Sequence, residues 1–150
     1  PIDTDRPGWQ IPPMRLLGLD VGTKTIGVAV CDEEGVVAMP LRTLARHGGQ
    51  RDIDAVAAVM HETGATALVV GLPRELSGRE GDAARRCRTL GDTLGEALDC
   101  PVHYWDERFS TTEAERMLIS ANVSRKKRKK VVDHVAASLI LQGFLDRGAV

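Results

Sequence analysis

The sequence predicts an α/β fold, in which a mixed sheet of five strands is flanked by helices. Two observations lead to this prediction. Three short apolar runs joined by tight turns fill residues 14–44, as expected of consecutive antiparallel strands. Two strand-helix units follow, and such units add parallel strands to a sheet and place helices on its faces. The predicted order is therefore βββαβαβα with one further helix at the end.

The first three strands are predicted at residues 14–21, 25–31 and 36–44, where apolar and partly β-branched runs alternate with turn residues. Residues 22–24 join the first two runs as a hairpin. The third run contains Pro40, and proline cannot donate a hydrogen bond to a strand ladder. We therefore expect the third strand to lie at an edge of the sheet or to be interrupted.

The later elements are predicted from apolar spacing and from helix-start and helix-stop residues. Ile53, Val56, Ala57 and Met60 recur at helical spacing, and Thr63 with Gly64 ends that helix. The next elements are a strand at 67–70, a flexible loop at 74–81, a helix at 82–98, a strand at 102–105 and a short helix at 110–120. A final helical stripe extends from Val132 to Phe144.

The length of 150 residues and the hydrophobic content of 43% suit one compact domain. We assign residues 14–150 to this domain and read the proline-rich residues 1–13 as a flexible N-terminal arm. No apolar run approaches the roughly 20 residues of a membrane helix, and no secretory signal is evident, so we expect a cytoplasmic protein without membrane contact. The three cysteines contain no CxxC pair and predict neither a disulfide framework nor a zinc site.

Six consecutive cations precede the final helix. Without them the formal net charge of −1 would be −7. Like charges repel one another, so such a run is often a solvated surface loop. A clustered set of cations also suits the phosphate backbone of a nucleic acid. The six residues are Arg125, Lys126, Lys127, Arg128, Lys129 and Lys130.

Three acids fall at the ends of predicted elements. Asp20 lies late in the first strand, Glu107 follows the fifth strand, and Asp133 opens the last helix. Binding groups in α/β sheets gather at the carboxyl ends of parallel strands, so these acids can converge there. Converging carboxylates repel, and a hard divalent cation with oxygen ligands relieves that repulsion. The pattern indicates a metal site.

Each acid also has a structural interpretation. Asp20 can accept hydrogen bonds from the amides of the following turn. Glu107 can be an exposed loop acid, and Asp133 can cap the final helix or complement its dipole. The neighbouring His134 is interpreted as a residue of the helix start. The metal-site hypothesis therefore rests on the combination of the three acids.

Four motifs resemble, in order and spacing, the YqgF family, also called RuvX or Holliday junction resolvase-like proteins. They are LLGLDVGTKTIGVAV, VVGLPRELSGREG, YWDERFSTTEAERML and VVDHVAASLILQGFLD, and the resemblance covers about residues 14–147. It implies a ribonuclease H-like fold and a metal-dependent nuclease that acts on structured nucleic acid. By this resemblance Asp20, Glu107 and Asp133 correspond to the acidic active-site triad, which holds Mg²⁺ or Mn²⁺.

The resemblance leaves two substrates open, since family members are described as enzymes that mature the 5′ end of 16S rRNA or as resolvases of four-way junctions. A symmetric junction cut on two strands would favour a homodimer. Lys24, Arg74 and Arg108 are candidate phosphate contacts, together with the basic run. Asp106 and Asp82 stay open as a fourth acid. Asp146 is excluded because thirteen helical positions place it roughly 20 Å from Asp133.

Two other classes of function remain to be compared with a nuclease. The D-x-G-T hairpin, from Asp20 to Thr23, also resembles the phosphate-binding turn of actin-like ATPases and sugar kinases, but those enzymes clasp nucleotide between two such domains and this chain supplies one. A non-catalytic RNA-binding factor in transcription or ribosome assembly would use the basic run without requiring three convergent acids. The acids therefore favour an enzyme.

Overall fold

The computed structural model describes residues 15–75, 77–109 and 125–147, with the backbone alone for Phe109 and residues 125–132. The strands are β1 (Leu16–Val21), β2 (Thr25–Cys31), β3 (Ala38–Ala45), β4 (Ala67–Leu72) and β5 (Val102–Asp106). The helices are α1 (Gly49–Thr63), α2 (Asp82–Leu98) and α3 (Arg125–Asp146), and a 3₁₀ turn, Glu107–Phe109, follows β5. Within these ranges no helix is both long and apolar enough to cross a membrane.

The strands form one mixed sheet in the order β3-β2-β1-β4-β5. The first three strands pair as antiparallel neighbours, and β4 and β5 are added in parallel on the other side of β1. The predicted sheet is thus confirmed. Both expectations for the proline-containing strand hold, because β3 is an edge strand and its register with β2 shifts where Ala29 faces Pro40.

Helices cover both faces of the sheet. On one face α1 and α2 pack Val56, Val59 and Leu94 onto the alternate strand residues that include Leu19 and Val70. On the other face α3 packs against the intervening residues through an apolar stripe that contains Ala137, Ile140, Leu141 and Phe144. The alternation follows from the pleat, since successive strand residues point to opposite faces.

Helix α3 lies unusually close to the sheet because glycines stand beneath it. A Cβ added to Gly27 would lie 1.9 Å from the backbone oxygen of Asp133, and one on Gly18 would lie 2.7 Å from Cβ of Leu141. Neither separation is tolerated by real Cβ atoms. Glycine inside a strand commonly marks such a close approach of another segment.

Two predicted boundaries are wrong. The third strand begins at Ala38, because the carboxylate of Asp32 accepts hydrogen bonds from the amides of Val36 and Val37 and holds these residues in a turn. The last helix begins at Arg125, so the basic run, residues 125–130, is helical and is not a loop. Lysine and arginine are good helix formers, and the packed stripe that follows them supports the helix.

The earlier start of α3 changes the setting of two residues. Asp133 and His134 lie in its third turn and do not open it.

Three other predictions fall beyond the described residues, namely the N-terminal arm at 1–13, the short helix at 110–120 and the side chains of the basic run.

Candidate active site

One rung of the sheet organises the site. Asp20 of β1 pairs with Gly27 of β2, and Gly27 pairs with Thr43 of β3. The three residues stand side by side on the face covered by α3. Helix α3 meets this rung at Asp133, whose backbone rests on Gly27. A residue far along the chain is thereby placed beside Asp20.

Hydrogen bonds fix the orientation of the helix over this rung. The hydroxyl Oγ1 of Thr25 donates to Oδ2 of Asp133 over 2.6 Å. One residue further on, Nδ1 of His134 lies 3.1 Å from Oγ1 of Thr43. The interpretation of His134 as a helix-start residue is therefore wrong, since it contacts the sheet in mid-helix. Asp133 and His134 are each held by a strand residue.

Glu107 reaches the same face from the other side of β1. It opens the 3₁₀ turn after β5, and its Oε2 lies 3.1 Å from the position that a Cβ on Gly71 would take. Gly71 follows Val70, which pairs with Leu19, so Gly71 stands next to Asp20 in the sheet. The same missing side chain makes room for Ile140 of α3. Asp20, Glu107 and Asp133 are all half-buried and lie at one end of one face.

Two of these acids affect the pKa of the buried Cys87 thiol. Burial first, and then the negative charges of Glu107 and Asp20, raise the pKa of Cys87 to about 11. The Sγ of Cys87 lies 3.6 Å from the backbone oxygen of Val21, directly after Asp20. Glu107 and Asp20 therefore both lie near enough to Cys87 to disfavour its thiolate.

The donor set suits a hard divalent cation, which prefers carboxylate oxygens in a partly solvated setting. Within the described ranges, however, no three Asp, Glu, His or Cys side chains form a group that could hold a metal ion as they stand. The three acids are thus brought to one end of the sheet, with Asp133 directed to Thr25, and the metal site itself stays a prediction.

The acids left open as a fourth member lie elsewhere. Asp106 pairs with Leu72 on the α2 face and is 8% exposed. Asp82 lies at the exposed start of α2, where it pairs with Arg85. Asp146, already excluded by distance, is exposed at the end of α3 and accepts a hydrogen bond from Gln142.

The predicted phosphate contacts Arg74 and Arg108 converge on Asp106. Arg108 donates from Nε to both carboxylate oxygens, at 3.0 and 3.1 Å, and from Nη2 at 2.6 Å. Arg74 Nη1 lies 3.6 Å from Oδ2 of the same carboxylate. The hydrogen bonds from Arg108 are the main reason that the pKa of Asp106 is lowered, although burial opposes them.

Lys24, the third predicted single contact, is exposed in the β1–β2 turn beside the acids. The turn is anchored by Arg46, whose amide donates to the Lys24 oxygen at 2.8 Å and whose Nη1 donates to the Gly22 oxygen at 3.0 Å. Arg46 also pairs with Asp52, which is 2% exposed. The turn that carries Lys24 is therefore fixed from the α1 side.

Thr25, Gly27 and Thr43 determine how α3 meets the sheet, and none of them was predicted from the sequence. Gly27 did carry a signal, because it lies inside an apolar strand where glycine commonly marks a bulge or a close approach. The two threonines carried none, since threonine is ordinary in strands.

The chain is similar to curated proteins over most of its length. A family model described as RuvX, Holliday junction resolvase, matches residues 14–147. A protein of Halalkalibacterium halodurans named "Putative pre-16S rRNA nuclease" is 50% identical over 136 residues, which are 89% of this chain and 97% of that protein. A relative of the same name from Cereibacter sphaeroides is 50% identical over 132 residues, covering 88% and 82% of the two chains.

Solved structures with the same architecture include two resolvases. RuvC of Thermus thermophilus, in complex with a Holliday junction substrate, aligns with a TM-score of 0.55 at 15% identity over 91% of this chain and 97% of that one. The Fowlpox virus resolvase, in complex with Holliday junction DNA, aligns with a TM-score of 0.52 at 13% identity over 91% and 100%. These likenesses confirm the ribonuclease H-like fold.

Proposed function

The chain belongs to the RuvX family, and from that premise we propose that it is a divalent-metal-dependent nuclease that hydrolyses phosphodiester bonds in structured nucleic acid. Its substrate on this proposal is the 5′ end of pre-16S rRNA, the substrate in the names of its curated relatives. The observation that carries the proposal is the arrival of Asp20, Glu107 and Asp133 from three distant segments at one end of one face. A role in rRNA maturation would place the protein in the cytoplasm.

The three carboxylates would hold Mg²⁺ or Mn²⁺. Their fit is supported by their oxygen donors and their partial burial. Such an ion, when bound, generates a nucleophile from water and stabilises the leaving oxygen. Within the described residues these acids do not form a coordination group as they stand.

Other residues of the chain would orient the acids and the substrate. Thr25 holds the Asp133 carboxylate, and the His134–Thr43 contact prevents α3 from rotating over the sheet. Lys24 projects from the turn beside Asp20 and is available to a phosphate. The basic run occupies the first turns of α3 and ends at Lys130, less than one turn before Asp133, so that it can guide a nucleic-acid strand toward the acids.

A second candidate substrate is the four-way junction, which the description of the family model favours. Cleavage of a symmetric junction at two strands would call for a homodimer. We place this candidate second because the curated relatives at 50% identity carry the rRNA name. A catalytically silent RNA-binding factor is disfavoured, since such a factor has no need of convergent acids.

The test is a side-by-side cleavage assay with Mn²⁺ or Mg²⁺ on precursor-like RNA, RNA junctions and DNA junctions. We expect metal-dependent cleavage of the RNA at a defined position, and its loss on addition of EDTA. Preferential cleavage of DNA junctions by a dimer would replace the first substrate with the second. Binding of RNA without cleavage of any substrate would contradict the nuclease proposal.

The role of the basic run is tested by binding. Replacing Lys126, Lys127, Lys129 and Lys130 by Gln should weaken RNA binding. It should also reduce the slope of log K against log salt concentration by about 0.7 to 0.9 for each lost phosphate contact. Binding measured by fluorescence anisotropy between 50 and 200 mM salt would show this. An unchanged slope would remove the run from the proposed interface.

A further inference from the structure

Asp106 holds two arginines in an arrangement that an ordinary surface ion pair does not have. Arg108 forks onto its carboxylate and also donates its backbone amide to Oδ1 at 3.0 Å, while Arg74 approaches Oδ2. The side chain of Asp106 is 9% exposed, whereas those of Arg74 and Arg108 are 29% and 28% exposed. The acid is thus buried behind two cations that remain open to solvent.

Arg74 is the more loosely held of the two arginines on Asp106. Glu80, the other acid near Arg74, is 3.8 Å from it and is engaged more closely by Arg88 at 2.9 Å. Both ion pairs of Arg74 are therefore longer than those that hold Arg88 and Arg108. Among the residues that the structure describes, the buried Nε of Arg74 has no hydrogen-bond partner, so this side chain retains a donor. An anion would complete such a group better than a further cation would.

The group opens into a cleft at the β5 edge of the sheet. The cleft has a volume of about 370 Å³, and its lining includes Arg74, Asp106, Arg108 and Arg147. Asp106 precedes Glu107 in the chain and faces the α2 side, while Glu107 faces α3. Consecutive phosphates of a nucleic acid are several ångströms apart, so a backbone whose scissile phosphate lies at Glu107 can place a neighbouring phosphate in this cleft.

The loop after β4 lies against the Arg108 guanidinium. Gly78 has φ of 91°, and a Cβ there would lie 3.3 Å from Nη1 of Arg108. The loop also closes on itself, because the amide of Gly78 donates to the oxygen of Glu75 at 2.8 Å. The loop backbone therefore limits how far the Arg108 guanidinium can move, and Asp106 determines which way it points.

We propose that Asp106 is a positioning residue that locks Arg74 and Arg108 into a phosphate clamp for the phosphate next to the scissile one. This inference rests on the proposed nuclease function and names a substrate contact of that site. A merely neutralising acid would oppose phosphate binding through its charge, whereas a positioning acid strengthens binding through geometry. Replacement of Asp106 by Asn separates these two roles, because it removes the charge and the fork but retains the volume.

The test measures affinity for a fluorescent hairpin RNA by anisotropy in Ca²⁺, which serves as the non-activating divalent probe. We expect Asp106→Asn to weaken binding about tenfold, although it removes a negative charge. Arg74→Gln and Arg108→Gln should each weaken binding and reduce the salt slope by about one contact. Arg42→Gln is the matched control, and this variant should bind the RNA as tightly as the wild type does. Arg42 is a surface arginine of β3, the edge strand far from β5, and it pairs with Glu62.

A double-mutant cycle distinguishes positioning from a general structural effect. In an Arg74→Gln/Arg108→Gln background, Asp106→Asn should have no further effect on affinity, because the groups it positions are gone. An additive effect, or tighter binding by Asp106→Asn alone, would overturn the clamp. The two arginine variants are made at partly exposed positions, so they test the clamp even if Asp106→Asn fails to fold.

Cleavage by the wild-type protein in Mn²⁺ is measured on the same RNA. If the wild-type protein binds and cleaves the RNA and the arginine variants bind it equally well, the clamp is overturned but the proposed function is not. Wild-type protein that neither binds nor cleaves any of the RNA and junction substrates would overturn the proposed function itself. The two failures therefore give different results.

Discussion

The carboxylates on the two faces of the sheet differ in burial and in their hydrogen-bond partners. On the α1/α2 face, Asp52 and Asp106 are buried and are fixed by arginines and backbone amides. On the α3 face, Asp20, Glu107 and Asp133 are half-buried and share one end of the sheet, where a neutral threonine hydroxyl holds Asp133. Carboxylates of the first kind stabilise loops. Those of the second kind remain suited to binding a cation.

This difference appears between neighbours in the chain. Asp106 and Glu107 are consecutive, yet Asp106 faces the arginines and Glu107 faces Gly71 and α3. The pleat of β5 followed by a tight turn is sufficient to separate them. The comparison teaches that the number of acids in a segment says little about their role, whereas the face on which each one lies says much.

The largest effect is expected at Asp20. Asp20→Asn should reduce metal-dependent cleavage by at least about 10³-fold, because a metal ligand is lost, and should leave the free energy of unfolding nearly unchanged. Single-turnover cleavage and urea unfolding measure the two quantities. Asp146→Asn, an exposed acid on α3, is the control and should retain full activity. Equal activity of Asp20→Asn and wild type would mean that the α3 face has no catalytic role.

The close approach of α3 is tested at Gly27. Gly27→Ala should destabilise the protein by about 3 kcal/mol, because the new Cβ would collide with the backbone of Asp133. Thermal and urea unfolding measure this loss. Gly81→Ala is the matched control, since its Cβ would meet only the flexible end of Glu75. A stable Gly27→Ala variant would show that α3 does not depend on this contact.

The stabilising role of the other face is tested at Asp52. Burial raises the pKa of this carboxyl, but hydrogen bonds from the His47 amide, Arg46 and the Gly48 amide outweigh burial and lower the pKa overall. Since the folded pKa is the lower one, the stabilisation is present above about pH 4 and is lost as the pH falls through the folded value. Asp52→Asn should cost about 2 kcal/mol at pH 7 and reduce the acid sensitivity of unfolding.

A pH series of urea unfolding from pH 7 to pH 2 would measure this effect. Asp54→Asn is the control, because Asp54 is exposed on the same helix and accepts only from Gln50 among its described contacts. An unchanged acid dependence in Asp52→Asn would mean that this carboxylate does not stabilise the folded state.

The smallest predicted effect concerns the orientation of Asp133. Thr25→Val retains the shape of the side chain but removes the hydroxyl that donates to the carboxylate. We expect about a tenfold loss of cleavage, as is typical when a partner of a metal ligand is removed. A raised Mn²⁺ requirement in the same assay would confirm that the ligand is affected. Thr43→Val, which removes the contact with His134, should cost less.

Most of the fold could be predicted from the chain. The alternation of apolar residues in β1 and β2, the proline in β3 and the strand-helix units predicted the sheet and its edge. The start of α3 could not be predicted, because consecutive cations suit a loop by repulsion and a helix by propensity. The start of β3 also depended on a local side-chain turn at Asp32, which apolar patterns do not reveal.

The sequence alone determined which residues carry charge and which segments form strands, because both follow from composition and local periodicity. It therefore determined the three candidate acids and the cations near them. Only the tertiary structure decided the partners of each acid, since these depend on which face a residue occupies and on how closely a helix approaches the sheet. Gly27 lets α3 bring Asp133 beside Asp20, and the pleat of β5 turns Asp106 toward Arg74 and Arg108 while Glu107 faces Gly71.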